Sequence, residues 1–238
     1  MAKTWKNGVA TTLSDGTDNA GVQSIYVVGS DVYAVGADKG KAMIWKNGTG
    51  TILPNGNSVN GVFVSGADVY ACGNEQITWN APSYAVFWKN NVFTDLTNRT
   101  QLSNANAIAV SGTDVYIGGR ENLVAKIWKN GVGTALSDGT KFNMLMAVYI
   151  NGSDVYAGGI ESVTTGGITI AKYWKNGIAT NLTNGTLDAR ATSIYMFGSD
   201  LYVCGMEEEK VAIWKNGVQS LSNVIVSHNY SNSVVYLH

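Results

Sequence analysis

The chain has 238 residues, 16 basic against 17 acidic, and only 14% charged side chains. That balance excludes an electrostatic nucleic-acid binder, which needs a basic face, and an apolar share of 45% excludes a disordered chain. No apolar run approaches the roughly 18 residues of a membrane-spanning helix, and Met1-Ala2-Lys3-Thr4-Trp5 carries no apolar signal region, so no membrane partner is expected.

Read in chain order, the first element is a strand that ends at Trp5. It is followed by Lys6-Asn7-Gly8 and a second strand. Trp-Lys-Asn-Gly then recurs at Trp45, Trp128, Trp174 and Trp214, and as Trp-Lys-Asn-Asn at Trp88, with spacings of 40 to 46 residues. Between successive copies lies Gly-X-Asp-(Val/Leu)-Tyr, with its Asp at positions 31, 68, 114, 154 and 200. Such periodicity is the mark of a repeat architecture. Each repeat is predicted to hold four short strands. Strand A is read as Ser24–Val28, Gly61–Ser65, Ala107–Ser111, Ala147–Asn151 and Ser193–Phe197. The Gly-X-Asp turn leads into strand B (Val32–Val35 in the first repeat), and strand C ends at the Trp (Ala42–Trp45). Asn-Gly then forms a two-residue type I′ hairpin turn into strand D (Thr49–Leu53). Asn91 stands where the other copies carry Gly, and it also suits positive φ.

Four antiparallel strands every 40 or so residues describe an all-β, six-bladed β-propeller. Residues 1–13 supply only strands C and D, and residues 224–238 only A and B (degenerate Val234-Val235-Tyr236). The sixth blade is therefore expected to close from both termini in a 2+2 arrangement, giving one domain over 1–238. A solenoid would instead need polar caps.

The recurring Trp side chains are expected to wedge between blades rather than to stack sugars. The Asp residues are expected to cap turns, and the Lys residues after each Trp to stand solvated on the outer rim. Cys72 and Cys204 occupy the same strand B position in opposite blades, too far apart for a disulfide, and read as small buried apolar residues. His228 and His238 have no second ligand at a metal spacing. No nucleophile elbow, phosphate loop or zinc motif is present, so neither an enzyme nor a cofactor or metal is expected.

Strand alternation puts the A–B and C–D turns at one end of each blade and the D–A and B–C loops at the other. The loop end varies: its B–C segments are read as Ala37–Lys41, Asn74–Ser83, Arg120–Leu123, Ile160–Ile168 and Met206–Lys210. Loops held by a rigid scaffold are where binding is found. The candidate ligand contacts are therefore the residues at the top of strand A (Gln23, Asn60, Asn106, Met146 and Thr192), together with Trp79, Arg120 and Arg190. Arg99, Arg120 and Arg190 are the chain's three arginines, and they are placed unevenly for a catalytic arginine triad. A ring of uncharged side chains suits a neutral carbohydrate or a protein ligand. A monomer is expected, and a purely structural display repeat is the alternative.

The Trp-Lys-Asn-Gly and Gly-Ser-Asp-Val-Tyr signatures resemble tandem-repeat propellers of the broad WD40-like and Kelch-like superfamily, in the form found in bacterial proteins. The Trp-Asp dipeptide and the Kelch double glycine are missing. The resemblance implies a binding or scaffold module.

Overall fold

The turn chemistry reappears as backbone geometry. In the computed structural model, which describes residues 1–78, 80–163 and 167–225, Asn7, Asn47, Asn90, Asn130, Asn176 and Asn216 all have φ near +50°. That is the first position of a type I′ turn, and Asn tolerates it. Every element is a strand, and every pairing is antiparallel. β1 (Lys3–Lys6) and β2 (Val9–Thr12) form a two-stranded sheet. Blade one is β3 (Ala20–Val28), β4 (Asp31–Asp38), β5 (Lys41–Lys46) and β6 (Thr49–Ile52). Blade two is β7 (Ser58–Ser65), β8 (Asp68–Glu75), β9 (Tyr84–Lys89) and β10 (Val92–Asp95). Blade three is β11 (Ser103–Ser111), β12 (Asp114–Glu121), β13 (Val124–Lys129) and β14 (Val132–Ala135). Blade four is β15 (Asn143–Asn151), β16 (Asp154–Ser162), β17 (Thr169–Lys175) and β18 (Ile178–Asn181). Blade five is β19 (Ala189–Phe197), β20 (Asp200–Glu207), β21 (Lys210–Lys215) and β22 (Val218–Ile225). The architecture is that of a six-bladed β-propeller, with five four-stranded blades and the two-stranded sheet of β1 and β2 among the described residues. The predicted 2+2 closure, His228 and His238 lie outside the described residues.

Two compact units divide the chain, Met1–Val110 and Ser111–His238. In the first, β7 lies against β3 and β4, and Val35, Ile44, Leu53, Val59, Val62 and Trp88 meet in one buried core. Trp88 donates its Nε1–H to the Pro54 carbonyl at 2.8 Å. In the second unit, Trp174 packs with Ile127 and Leu145 and donates to the Leu136 carbonyl at 3.2 Å. Each of these tryptophans therefore fixes its own blade to the last turn of the preceding one. Trp45, Trp88, Trp128, Trp174 and Trp214 are 0–1% exposed, so none of these five is a stacking platform, whereas Trp5 in the two-stranded sheet is 65% exposed and does not wedge among the described residues. Cys72 and Cys204 are free and buried, and burial pushes both thiols above their ordinary value.

Strand A begins three or four residues earlier than the sequence predicts, and the cause is a β-bulge. The pairing register skips one residue between Val22 and Ser24, Val59 and Gly61, Leu145 and Ala147, and Ala191 and Ser193. An extra residue reverses the in–out alternation of side chains, so an apolar pattern read backwards from the turn stops making sense at the bulge. A glycine faces each bulge: a Cβ on Gly36, Gly73, Gly159 or Gly205 would overlap the carbonyl oxygen of Gly21, Ser58, Met144 or Arg190.

Candidate functional site

The two ends of the blades are built differently. At the turn end, one cluster recurs in all five four-stranded blades. In blade one, Asn47 accepts from the Val32 N–H at 2.8 Å and donates to Asp31 at 2.8 Å. Lys46 pairs with the other Asp31 oxygen at 2.8 Å, its ammonium 5.1 Å from the Tyr33 ring centroid. Lys89–Asp68, Lys129–Asp114, Lys175–Asp154 and Lys215–Asp200 repeat the pair at 2.7–2.8 Å, each lysine above the matching tyrosine. These lysines are half-exposed but clasped, where the sequence led to an expectation of solvated ones. The lysine and then the asparagine hydrogen bond hold all five aspartates below the usual carboxylate range.

The loop end mixes a repeated turn with ion pairs that vary from blade to blade. A third repeated segment, Leu-(Ser/Thr)-(Asp/Asn)-Gly-Thr, follows strand D at Leu13, Leu136 and Leu182, and with Arg in place of Gly at Leu96. Asp15, Asn98, Asp138 and Asn184 each accept from the N–H and the hydroxyl of the threonine two residues on, the bonding of an Asx turn. In one copy Arg99 takes the glycine position, with φ of +62°. It pairs with Glu75 and Asp95 and lies 5.6 Å from the Tyr84 ring, so it is a clamp within its own unit.

The B–C connections are shorter than predicted. Blades one, three and five turn on two residues each: Lys39-Gly40, Asn122-Leu123 and Glu208-Glu209. Only 76–83 and 163–168 are longer. Arg120 therefore lies within β12 rather than in a loop, and Arg190 lies within β19 rather than before it.

Four strand A candidates, Gln23, Asn60, Met146 and Thr192, are the bulged residues themselves. Bulges commonly re-aim a side chain beside a binding site. Gln23 is exposed and Met146 half-buried. Asn60 is already spent on the Ala105 carbonyl at 2.9 Å, and Thr192 lies 3.4 Å from the Cys204 carbonyl. Asn106 sits half-buried in β11. Arg190 faces Asp188 at 3.6 Å. Trp79 lies outside the described residues.

Arg120 stands apart. It is half-buried, its guanidinium 4.9 Å from the Phe142 ring centroid, and its Nη1 donates to the Asn122 carbonyl at 2.8 Å. Its Nε–H is buried with no partner, as is the Asn143 Oδ1 one residue beyond Phe142. Burial pushes the guanidinium below its ordinary value, yet arginine remains charged at neutral pH. Corresponding positions hold Ala37, Asn74, Ile160 and Met206, so the blade does not require a cation here.

The blade geometry defines a β-propeller, and comparison agrees at the level of fold. No protein family model matches the sequence, and no curated protein matches it. Among solved structures, the chain is similar to the computationally designed Ika8 protein, with a TM-score of 0.52 and 18% identity. That match covers 90% of this chain and 65% of the designed one. It is also similar to the crystal structure of a nidogen/laminin complex, with a TM-score of 0.53 and 12% identity over 82% of this chain and 79% of that one. At such identities the likeness extends to fold alone.

Proposed function

We propose that the protein is a non-catalytic binding module that takes a carbohydrate or protein ligand at the loop ends of its blades. The observation that carries this is Arg120. It is the one arginine with no carboxylate among the described residues, it is stacked on Phe142, and it leaves a buried donor unmet. Buried unpartnered polar atoms call for an explanation, and an arginine over an aromatic ring is the usual anchor of a binding hot spot. Several other loop-end charges are paired within the chain: Lys39 with Asp15, Lys126 with Glu121, Lys172 and Lys141 with Glu161. Arg99, held by two carboxylates, is not available for an arginine triad, which favours the non-catalytic reading.

A glycan array and a peptide phage library, screened in parallel with wild type and Arg120→Ala, test this reading. It expects at least one ligand class to bind wild type and be lost from the variant. Hits that all survive the substitution would remove Arg120 from the site. No hit in either collection would leave a purely structural repeat.

A further inference from the structure

The turn end, uniform by sequence, breaks its pattern once, and a groove opens at that point. Within Met1–Val110, between blades one and two, lies an open groove of about 260 Å³. Its floor is Tyr33, Ile44 and Val69, and its rim is Lys46, Thr51, Asn90 and Asn91. Thr51 is paired directly across from Ile44, which turns its hydroxyl to the same face as the floor.

The rim residues differ in what they have left to offer. Lys46 is neutralised by Asp31, and Asn90 is consumed by Asp68 and the Val69 N–H. Thr51 and Asn91 are exposed, and among the described residues neither side chain has a hydrogen-bond partner in the protein. Asn91 also holds φ at +67°, where Gly8, Gly48, Gly131, Gly177 and Gly217 occupy the same turn position at φ of +80° to +89°. A side chain in the left-handed region is less favourable than glycine. Asparagine tolerates that conformation, so the departure costs little and puts an amide on the rim at a position where the other turns carry none.

We infer that this groove binds a neutral monosaccharide ring, with Thr51 and Asn91 as its hydrogen-bonding contacts. One hydroxyl and one amide, each donor and acceptor, suit neighbouring sugar hydroxyls above an apolar floor. A charged ligand finds no free counter-charge, because the only cation on the rim is already paired. The volume falls just below the roughly 300 Å³ at which small-molecule sites begin, which is the scale of a single ring. The rest of the groove recurs by residue type in the second unit, where Tyr116, Ile127 and Thr134 match Tyr33, Ile44 and Thr51. Gly177 there replaces Asn91, so the amide singles out the first groove.

The test is saturation-transfer NMR and titration calorimetry on the full chain, with glucose, galactose, mannose, N-acetylglucosamine and glucuronate. Wild type, Asn91→Gly, Thr51→Val and Thr134→Val are compared. Asn91→Gly restores the turn of every other blade, so it folds with a melting temperature equal to or above wild type. Binding of at least one neutral sugar to wild type is expected. Asn91→Gly and Thr51→Val are each expected to weaken it about tenfold, the loss of one good hydrogen bond. Thr134→Val, at the matching position of the second unit where Gly177 replaces the amide, is expected to leave it unchanged. No binding of any neutral sugar, a preference for glucuronate, or full retention by Asn91→Gly would overturn the assignment.

Discussion

The turn ends and loop ends of the blades share the same strands yet follow opposite rules. At the turn end, one Asp–Lys–Asn–Tyr cluster is built five times over, with ion pairs of 2.7–2.8 Å in every copy. At the loop end the wiring varies: Glu75 and Asp95 hold Arg99 and Asp188 faces Arg190, while Glu121–Lys126 and Glu161–Lys172 are one pair shared by two blades only. Residues that recur do the work of folding. Those that break the pattern without structural need, Arg120 at one end and Asn91 at the other, are the candidates for contact with something outside the chain.

The sharpest way to break this division is to attack a recurring residue at the loop end, where variation is otherwise tolerated. A Cβ on Gly159 would overlap the Met144 carbonyl oxygen, so Gly159→Ala must displace backbone at the bulge. We expect a loss of about 3 kcal/mol or more, a fall in melting temperature on the order of 10 °C for a chain of this size. Gly152→Ala is the control. Its φ is +59°, but a Cβ meets nothing within 4 Å, so the cost is only about 1 kcal/mol from the left-handed backbone. Equal effects at the two glycines would show that the bulge contact is not what demands Gly159.

At the turn end, Asn176→Ala removes hydrogen bonds to Asp154 and to the Val155 N–H and puts alanine at φ of +51°. Each bond contributes roughly 1 kcal/mol, so a loss of about 2 kcal/mol is expected in chemical denaturation. A result near zero would make the cluster ornamental.

Acid titration probes the same clusters together. The five aspartates have pKa values depressed by their lysine and asparagine partners. Their contribution is present above the unfolded carboxylate value of about 4 and is lost as pH falls through the folded values below it. The lysines are raised by the same pairs, so their share persists below their unfolded value and disappears as pH climbs through the folded one. Stability should be flat across neutral pH and decline below about pH 4, modestly because the pairs are exposed and screened by salt. A decline beginning near pH 6 would point to other groups.

Much of this fold is readable in the sequence because repetition multiplies weak signals. One Asn-Gly is a hint of a hairpin; five of them, each preceded by Trp-Lys, fix the C–D turn, and the Trp is buried wherever a four-stranded blade surrounds it, though not at Trp5. The start of strand A was not readable, because the bulge at Gln23, Asn60, Met146 and Thr192 inverts the alternation on which strand assignment depends. The lysine clasp is less legible for a related reason: Lys46 and Asp31 are 15 residues apart and meet only once two strands have paired in register. At the candidate site, Arg120 was noticed as one of three arginines, but its distinction is an unmet buried N–H, which only coordinates reveal. Asn91 was visible as a departure from Gly, but the groove beside it was not.

The melting temperature of Arg120→Ile tests the central claim most directly. Ile160 fills the same position one blade on and is 8% exposed, so isoleucine suits the scaffold there. If arginine is kept for a ligand, replacing a half-buried, incompletely bonded cation with a well-packed apolar side chain leaves stability equal or raises it by about 1 kcal/mol, a gain of roughly 2–4 °C. A fall of several degrees would contradict the account, because Arg120 would then be a structural member of its blade.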